Sequence, residues 1–260
     1  MLAQKKVLVT GSTGGLGWAI ANEFAASGCS ILLHGLADER ELKKLAGEIE
    51  QKYSVAVLTS NADLTRQNAI MGLVEDALSN WGRIDVLVNN AGVQFASPIE
   101  SFHAEKWDQL VAVNLNAAFY MSRMFIPAMK QSGWGRIINI ASAHGLVASP
   151  NKAAYVASKH ALLGLTKVIA LEAANDGVTC NAICPGWVRT DLVEKQIVSR
   201  ANQENKPIEE VAHNLLIEKQ AQHEFVRAED VAKLAVYLCH DAARSITGAS
   251  LPIDGAWTAQ

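Results

Sequence analysis

The sequence predicts a single α/β domain built on a doubly wound parallel sheet. Three observations point there. Short β-branched or aliphatic runs alternate with longer segments of helical periodicity, a glycine cluster follows directly on the first run, and the composition suits one packed core. Of 260 residues, 50% are hydrophobic and 19% are charged, enough apolar surface for one sizeable core.

The runs at 6–10, 30–34, 56–59, 85–89, 136–140, 178–183 and 250–253 are expected to be buried strands. Helical periodicity fills the gaps, from Trp18 to Ala26 and over 39–53, 67–81, 105–130, 153–174 and 229–238. Such alternation implies parallel strands with helices on both faces. No linker, low-complexity tract or repeat divides the chain, so residues 1–260 are read as one domain. The stretch 190–222 breaks the rhythm, with Pro207 suited to the first turn of a short helix. Insertions after strand ends border the ligand crevice in open α/β sheets, so this stretch is expected to be a substrate lid.

Charge narrows the partners. Lysine and arginine number 23 against 26 acidic residues, a net charge of −3, so nucleic acid and anionic membranes are not expected partners. No apolar run is long enough to span a bilayer. A Val-Leu-Val strand starts at Val7, which leaves no room for a signal peptide before it, and a cytoplasmic location is expected. Cys180 and Cys184 would share one strand face, but no further pair at ligand spacing completes a metal site. The four cysteines are expected to be reduced and structural, with no metal bound.

Between the first strand and first helix lies Thr10-Gly11-Ser12-Thr13-Gly14-Gly15-Leu16-Gly17. Gly11 suits the tight turn, Gly15 lets backbone approach a pyrophosphate, and Gly17 allows close packing of helix on sheet. The helix N-terminus then offers free N–H groups and the positive end of its dipole to phosphates. Adenosine selectivity is set after the second strand, at His34-Gly35-Leu36-Ala37-Asp38. Neither Thr13, Gly14, Gly35 nor Leu36 is basic, so a 2′-phosphate finds no partner other than nearby Arg40, and NAD is favoured over NADP. Asp38 reads equally as a ribose acceptor or as a helix cap.

Ser142 ends the fifth strand, at the carboxyl edge where ligands bind in this architecture. Tyr155 and Lys159 stand four apart on one helix face. A phenol with a pKa of about 10 is a poor base near neutrality. An ammonium about 4 Å away at an effective dielectric of about 20 supplies roughly 4 kcal/mol, or about three pKa units before lysine desolvation is subtracted. Tyr155 would then exchange a proton with a substrate hydroxyl while Ser142 holds the oxygen.

TGSTGGLG at 10–17, NNAG at 89–92, the Ser142/Tyr155/Lys159 set and PGWVRT at 185–190 together resemble the short-chain dehydrogenase/reductase family over essentially the whole chain. The resemblance implies a Rossmann-type nicotinamide enzyme and a homotetramer. It implies that Asn114 completes a catalytic tetrad by holding a water in the proton relay, and that Lys159 also binds the nicotinamide ribose. By the same resemblance Asp63 contacts adenine, Asn90 and Gly92 the adenosine side, and Val188 and Thr190 the carboxamide. Thr13, Leu16, Leu36, Leu64 and Pro185 fall along the cofactor as well.

Within that family the segments at 138–160, 183–197 and 254–260 are similar to a group of bacterial 3-hydroxybutyrate dehydrogenases. That similarity implies a 3-hydroxy or 3-oxo carboxylate substrate, its carboxylate held by Gln94, His144, Lys152 and Gln196, its methyl end enclosed by Trp187 and Trp257. The chain departs from the group at Gly14, where Ser is frequent, and at Leu36, where an aromatic is common. Bottom-up, Lys152, Tyr155 and Lys159 at i, i+3 and i+7 would set two cations flanking the phenol, and a Lys, a His and two Gln suit a small carboxylate. One competing reading is an NADPH-dependent 3-oxoacyl-thioester reductase, which needs a phosphate-binding cation that the sequence lacks. The other is a non-catalytic NAD-binding protein, in which loss of Tyr155 or Lys159 would be expected; both are intact.

Overall fold

A computed structural model describes residues 2–259; Met1 and Gln260, inside the predicted domain, lie outside the described residues. Seven strands form one parallel sheet: β1 Lys6–Val9, β2 Ser30–His34, β3 Val57–Ser60, β4 Val86–Asn89, β5 Gly135–Ile140, β6 Val178–Pro185 and β7 Ser250–Ile253. Their order is β3-β2-β1-β4-β5-β6-β7, each pair parallel, so the winding reverses between β1 and β4. The helices are α1 Gly15–Ala26, α2 Glu39–Tyr53, α3 Gln67–Trp81, α4 Ala104–Val111, α5 Ala117–Gln131, α6 Ala153–Ala173, α7 Asp191–Glu204, α8 Ile208–Ile217 and α9 Ala228–Tyr237.

The strands are apolar at successive positions because both faces are covered. Val7, Val9, Ile31, Leu33, Val86 and Val88 point to one face and pack with α1, α2 and α9. Leu8, Leu32, Leu87 and Ile137 point to the other and pack with α3, α5 and α6. Truncating one of these, Leu8 or Leu87, to alanine costs about 2–5 kcal/mol.

Two sequence expectations change. The helix expected over 105–130 is two helices, because a π-helical turn, Ala112–Asn116, separates α4 from α5 and carries Asn114. Single π turns inside α-helices often mark functional positions. Lys152 is the residue before α6, with φ −122° and ψ 33°, and so does not share a helix face with Tyr155 and Lys159.

The 190–222 stretch folds as α7 and α8, with Pro207 capping α8 from just outside its first residue. Its apolar residues, among them Val193, Ile197, Val211 and Leu215, form a separate cluster with Ala143, Trp187 and Trp257. Among the described residues no helix is long and apolar enough to cross a membrane.

Candidate active site

Each chemistry-bearing segment leaves the carboxyl end of a strand, and the reversal between β1 and β4 opens a crevice there. A cleft of about 620 Å³ occupies it. Gly11, Thr13, Gly15, Leu16, Gly17, Leu36, Asp63, Leu64, Asn90, Gly92, Pro185, Val188 and Thr190 all line this cleft, as do Ser142, Tyr155 and Lys159.

The glycine turn is built for close approach. Gly11 and Gly15 hold φ of +63° and +52°, and a Cβ on Gly17 would collide with the Gly11 carbonyl oxygen. Asn90 braces the turn, its Nδ2 donating to the Thr10 and Gly11 oxygens at 2.8 and 3.0 Å. His34 braces it from the other side. Gly11 N–H donates to His34 Nδ1 at 3.1 Å while Nε2 lies 2.8 Å from Ala62 O, so the ring is neutral with its proton on Nε2. Burial holds the His34 pKa below the ordinary value of 6.5, which preserves that state. The sequence marked His34 only as a strand end. Its role depends on β1 and β2 pairing with Val9 opposite Leu33, a register that no local pattern displays.

A dinucleotide fits this frame, since the glycine turn and the free N-terminus of α1 suit a pyrophosphate and the cleft extends from Leu36 and Asp63 to Ser142 and Tyr155 on its two sides. At the adenosine end the side chain of Asp38 accepts from Glu41 N at 2.8 Å and caps α2, the second of its two readings. A Cβ on Gly35 would collide with Thr13, whereas Leu36 is 77% exposed at the rim. Arg40 is exposed in the first turn of α2 and is not part of the cleft wall. Asp63 accepts from Thr65 N and Oγ1 at 2.9 and 2.7 Å, which lowers its pKa.

At the nicotinamide end, buried Lys159 donates to Ile140 O at 2.7 Å and lies 5.7 Å from the Tyr155 ring centre. Burial lowers its pKa to about 8. Tyr155 is pushed upward by burial and pulled down by its hydrogen bond with Ser142. The ammonium lies over the Tyr155 ring, and burial outweighs the depression of the phenol that the spacing suggested. The Asn114 side chain is fixed by its neighbours: Oδ1 accepts from Val93 N at 2.8 Å, and Nδ2 donates to Val93 O and Ser158 Oγ at 3.0 and 3.2 Å.

Beside Tyr155 the structure brings the six remaining residues together in one cluster of contacts. Gln94 Nε2 donates to Gln196 Oε1 at 3.1 Å, and Lys152 Nζ donates to the same oxygen at 3.4 Å. Trp187 and Trp257 stack with centres 5.7 Å apart, and His144 meets Trp257 edge-on at 4.9 Å and Tyr155 at 5.9 Å. His144 Nε2 lies 3.0 Å from Ser149 Oγ; burial, and then Lys152, lowers its pKa to about 3, so the imidazole is neutral and not a second cation. Lys152 is itself lowered to about 8, first by burial and then by Lys219. Among the described residues no carboxylate pairs with it.

Cys29, Cys180, Cys184 and Cys239 are buried and free. Burial raises Cys184 to about 11, so it is inert despite its place near Lys159. Among the described residues no group of three His, Cys, Asp or Glu could hold a metal.

The reversed parallel sheet, the glycine turn and a serine, tyrosine and lysine at one strand edge define a nicotinamide-dependent oxidoreductase of Rossmann type. A family profile described as short chain dehydrogenase matches residues 5–201, and the chain belongs to that family. The chain is 48% identical over 256 residues to a D-beta-hydroxybutyrate dehydrogenase of Rhizobium meliloti (strain 1021), covering 98% of this chain and 99% of the relative. A D-beta-hydroxybutyrate dehydrogenase of Cupriavidus necator is 47% identical over 260 residues, the full length of both. Among solved structures, L-sorbose reductase from Gluconobacter frateurii, complexed with NADPH and L-sorbose, superposes with a TM-score of 0.95 at 28% identity, over 100% of this chain and 98% of that one.

Proposed function

We propose that this oxidoreductase interconverts (R)-3-hydroxybutyrate and acetoacetate with NAD. The observation that carries the reading is Lys152: a partly buried ammonium with no carboxylate partner among the described residues, beside Gln94, Gln196 and His144, one aromatic wall away from Tyr155. A buried cation without a counter-charge is an anion site, because a ligand carboxylate relieves the desolvation it carries. The names of the two hydroxybutyrate dehydrogenases support the four-carbon acid and its handedness.

A nicotinamide cofactor, held in the cleft lined by Gly11, Gly15, Gly17 and Asn90, would supply the hydride acceptor for oxidation and the hydride donor for reduction. Tyr155 takes the hydroxyl proton as the carbonyl forms and donates it back in the reverse direction, and Ser142 holds the same oxygen. Lys159 contributes positive charge near the phenol and, on family resemblance, binds the nicotinamide ribose. On family resemblance Asn114 holds a water in the proton relay, and its side chain keeps Val93 in place behind them. The helices α7 and α8 serve as the lid; their apolar cluster includes both pocket tryptophans, which supports that reading.

NAD is favoured because the adenosine end carries Gly35 and Leu36 and no cation. Exposed apolar side chains at Ile99, Phe119, Val168 and Leu171 fit the homotetramer that family resemblance implies. Free, buried cysteines fit the cytoplasm. The experiment is a panel of (R)- and (S)-3-hydroxybutyrate, the (R) methyl ester and a longer 3-hydroxy acid, followed by nicotinamide absorbance with each cofactor. The (R) acid with NAD should lead by about two orders of magnitude over the ester. Equal use of acid and ester overturns the carboxylate pocket, and equal specificity constants for NAD and NADP overturn the cofactor assignment.

A further inference from the structure

Gln220 follows α8, where the 190–222 stretch returns to the sheet, and it is 2% exposed. Both N–H groups and the oxygen of its amide are used. Oε1 accepts from Trp187 N at 2.9 Å, while Nε2 donates to Gln222 O at 3.2 Å and to Glu224 O at 3.0 Å. Only this orientation works: a flipped amide would set donor against donor at Trp187 and oxygen against oxygen at both carbonyls.

The amide fits because two glycines make room for it. A Cβ on Gly186 would lie 2.7 Å from Gln220 Oε1, and one on Gly255, whose φ is +60°, would lie 3.0 Å from Nε2. Gly186 precedes Trp187, and Gly255 belongs to the turn that carries Trp257. The same junction is tied by Gln222 N donating to Gly255 O at 3.0 Å and by Val226 N donating to Trp187 O at 2.8 Å. The buried side chain thus ties the exit of β6 to the end of the helical insertion, and the Gln222–Gly255 backbone bond ties that same end to the C-terminal turn.

We propose that Gln220 is a positioning residue for the substrate pocket: its amide holds the backbone of Trp187 and orders the Gln222 segment, whose bond to Gly255 holds the turn of Trp257, so that the stacked rings fix the depth of the apolar wall. The inference rests on the reading of those tryptophans as the wall around the substrate methyl group. Neither a carboxylate nor a thioether can replace the amide. Glu keeps the size and the acceptor but turns the carbonyls of Gln222 and Glu224 toward an anion, and Met keeps the size and makes none of the bonds.

The test compares wild type, Gln220→Glu and Gln220→Met by substrate kinetics, NAD titration and near-ultraviolet circular dichroism, with Trp257→Phe identifying the band of the stacked indole pair. Small displacements of substrate-contacting groups have large kinetic effects. The KM for (R)-3-hydroxybutyrate should rise by about tenfold or more, and its lead over a longer 3-hydroxy acid should narrow by a similar factor. NAD affinity should stay within about twofold, and the indole-pair band should weaken. A folded variant with wild-type KM and band overturns the proposal, and so does one that loses NAD affinity and substrate affinity equally. If neither variant folds, the amide serves the whole fold and the positioning role is overturned. If wild type fails to oxidise 3-hydroxybutyrate, the substrate reading falls, and the indole band in the two variants still decides the role of Gln220: loss supports it, retention refutes it.

Discussion

The ammonium of Lys152 sits 5.0 Å from the centre of the Trp187 indole, a cation held against an aromatic face where a counter-ion would be expected. Cation–π attraction offsets part of its desolvation, by about 0.5–2 kcal/mol, and leaves the rest for a ligand carboxylate. Lys152→Met should lower kcat/KM for the acid by about a hundredfold and leave NAD affinity unchanged. Steady-state kinetics with both substrates varied will show it; an unaltered specificity constant for the acid would remove Lys152 from the site.

The same substitution should stabilise the protein. Lys152 has a folded pKa of about 8 against an ordinary 10.5, so between those values the unfolded chain holds a proton that the folded one has released. Stability therefore rises with pH across that window, and the full cost of the charge is present below pH 8. Lys152→Met should gain about 1–3 kcal/mol at pH 7 and progressively less toward pH 10. Denaturant titrations at both pH values check the sign; an equal or lower stability at pH 7 contradicts it.

Carboxylate binding should follow Lys152 and ignore His144. With His144 near 3 and Lys152 near 8, inhibition by acetate should be flat from about pH 5 to 7 and weaken above 8 as the ammonium is lost. Arginine stays charged across this range, so Lys152→Arg should remove the alkaline weakening, whatever it does to affinity. A step near pH 6.5 in the wild-type profile would mean that His144 titrates in the pocket.

The fold was legible because each strand announces itself: runs such as Val7-Leu8-Val9 and Val86-Leu87-Val88 are apolar at every position only when both faces are covered. The glycine turn was legible for a similar local reason, since its positive φ values restrict residue choice. What the sequence hid is what depends on contacts between distant segments. His34 reaches Gly11 across the pairing of β1 with β2, and Gln220 reaches Trp187 across 33 positions. Asn114 read as part of one continuous helix because a π turn needs no signature residue. For the Tyr155 phenol the spacing shows the pull of the lysine and not the burial that opposes it, because burial is a property of the assembled pocket.

Tyr155→Phe should reduce turnover by a factor on the order of 10²–10⁴ while NAD affinity holds, because the lost atom carries a proton and no cofactor contact is invoked for it. Lys159→Ala should weaken NAD binding as well as turnover. Fluorescence titration beside single-turnover kinetics separates the two; a folded Tyr155→Phe enzyme with most of its activity would refute the proton-transfer role.

Cofactor choice should be tunable at one position. Gly35 has no room for a side chain against Thr13, but Leu36 is 77% exposed at the cleft rim. Leu36→Arg should raise kcat/KM for NADP by about tenfold or more through a charge-assisted contact with the 2′-phosphate, with little effect on NAD. An unchanged ratio between the cofactors would show that the adenosine does not pass Leu36.

Chain-length selection should reside in the stacked indoles. Trp257 is 6% exposed, stacks on Trp187 at 5.7 Å and 22°, and meets His144 edge-on, so it has little freedom to retreat from a longer substrate. Trp257→Ala should open that end of the pocket, and a cavity of this kind costs about 3–5 kcal/mol of stability. The longer acid can refill the space, regaining part of the lost burial at about 0.8 kcal/mol per methylene, whereas the four-carbon acid cannot. We therefore expect the ratio of kcat/KM for a six-carbon over a four-carbon 3-hydroxy acid to rise by about tenfold from two added methylenes. The ratio is the sensitive readout, because a general loss of structure would lower both constants together. An unaltered ratio in a folded variant would place the methyl end of the substrate away from the Trp187–Trp257 wall.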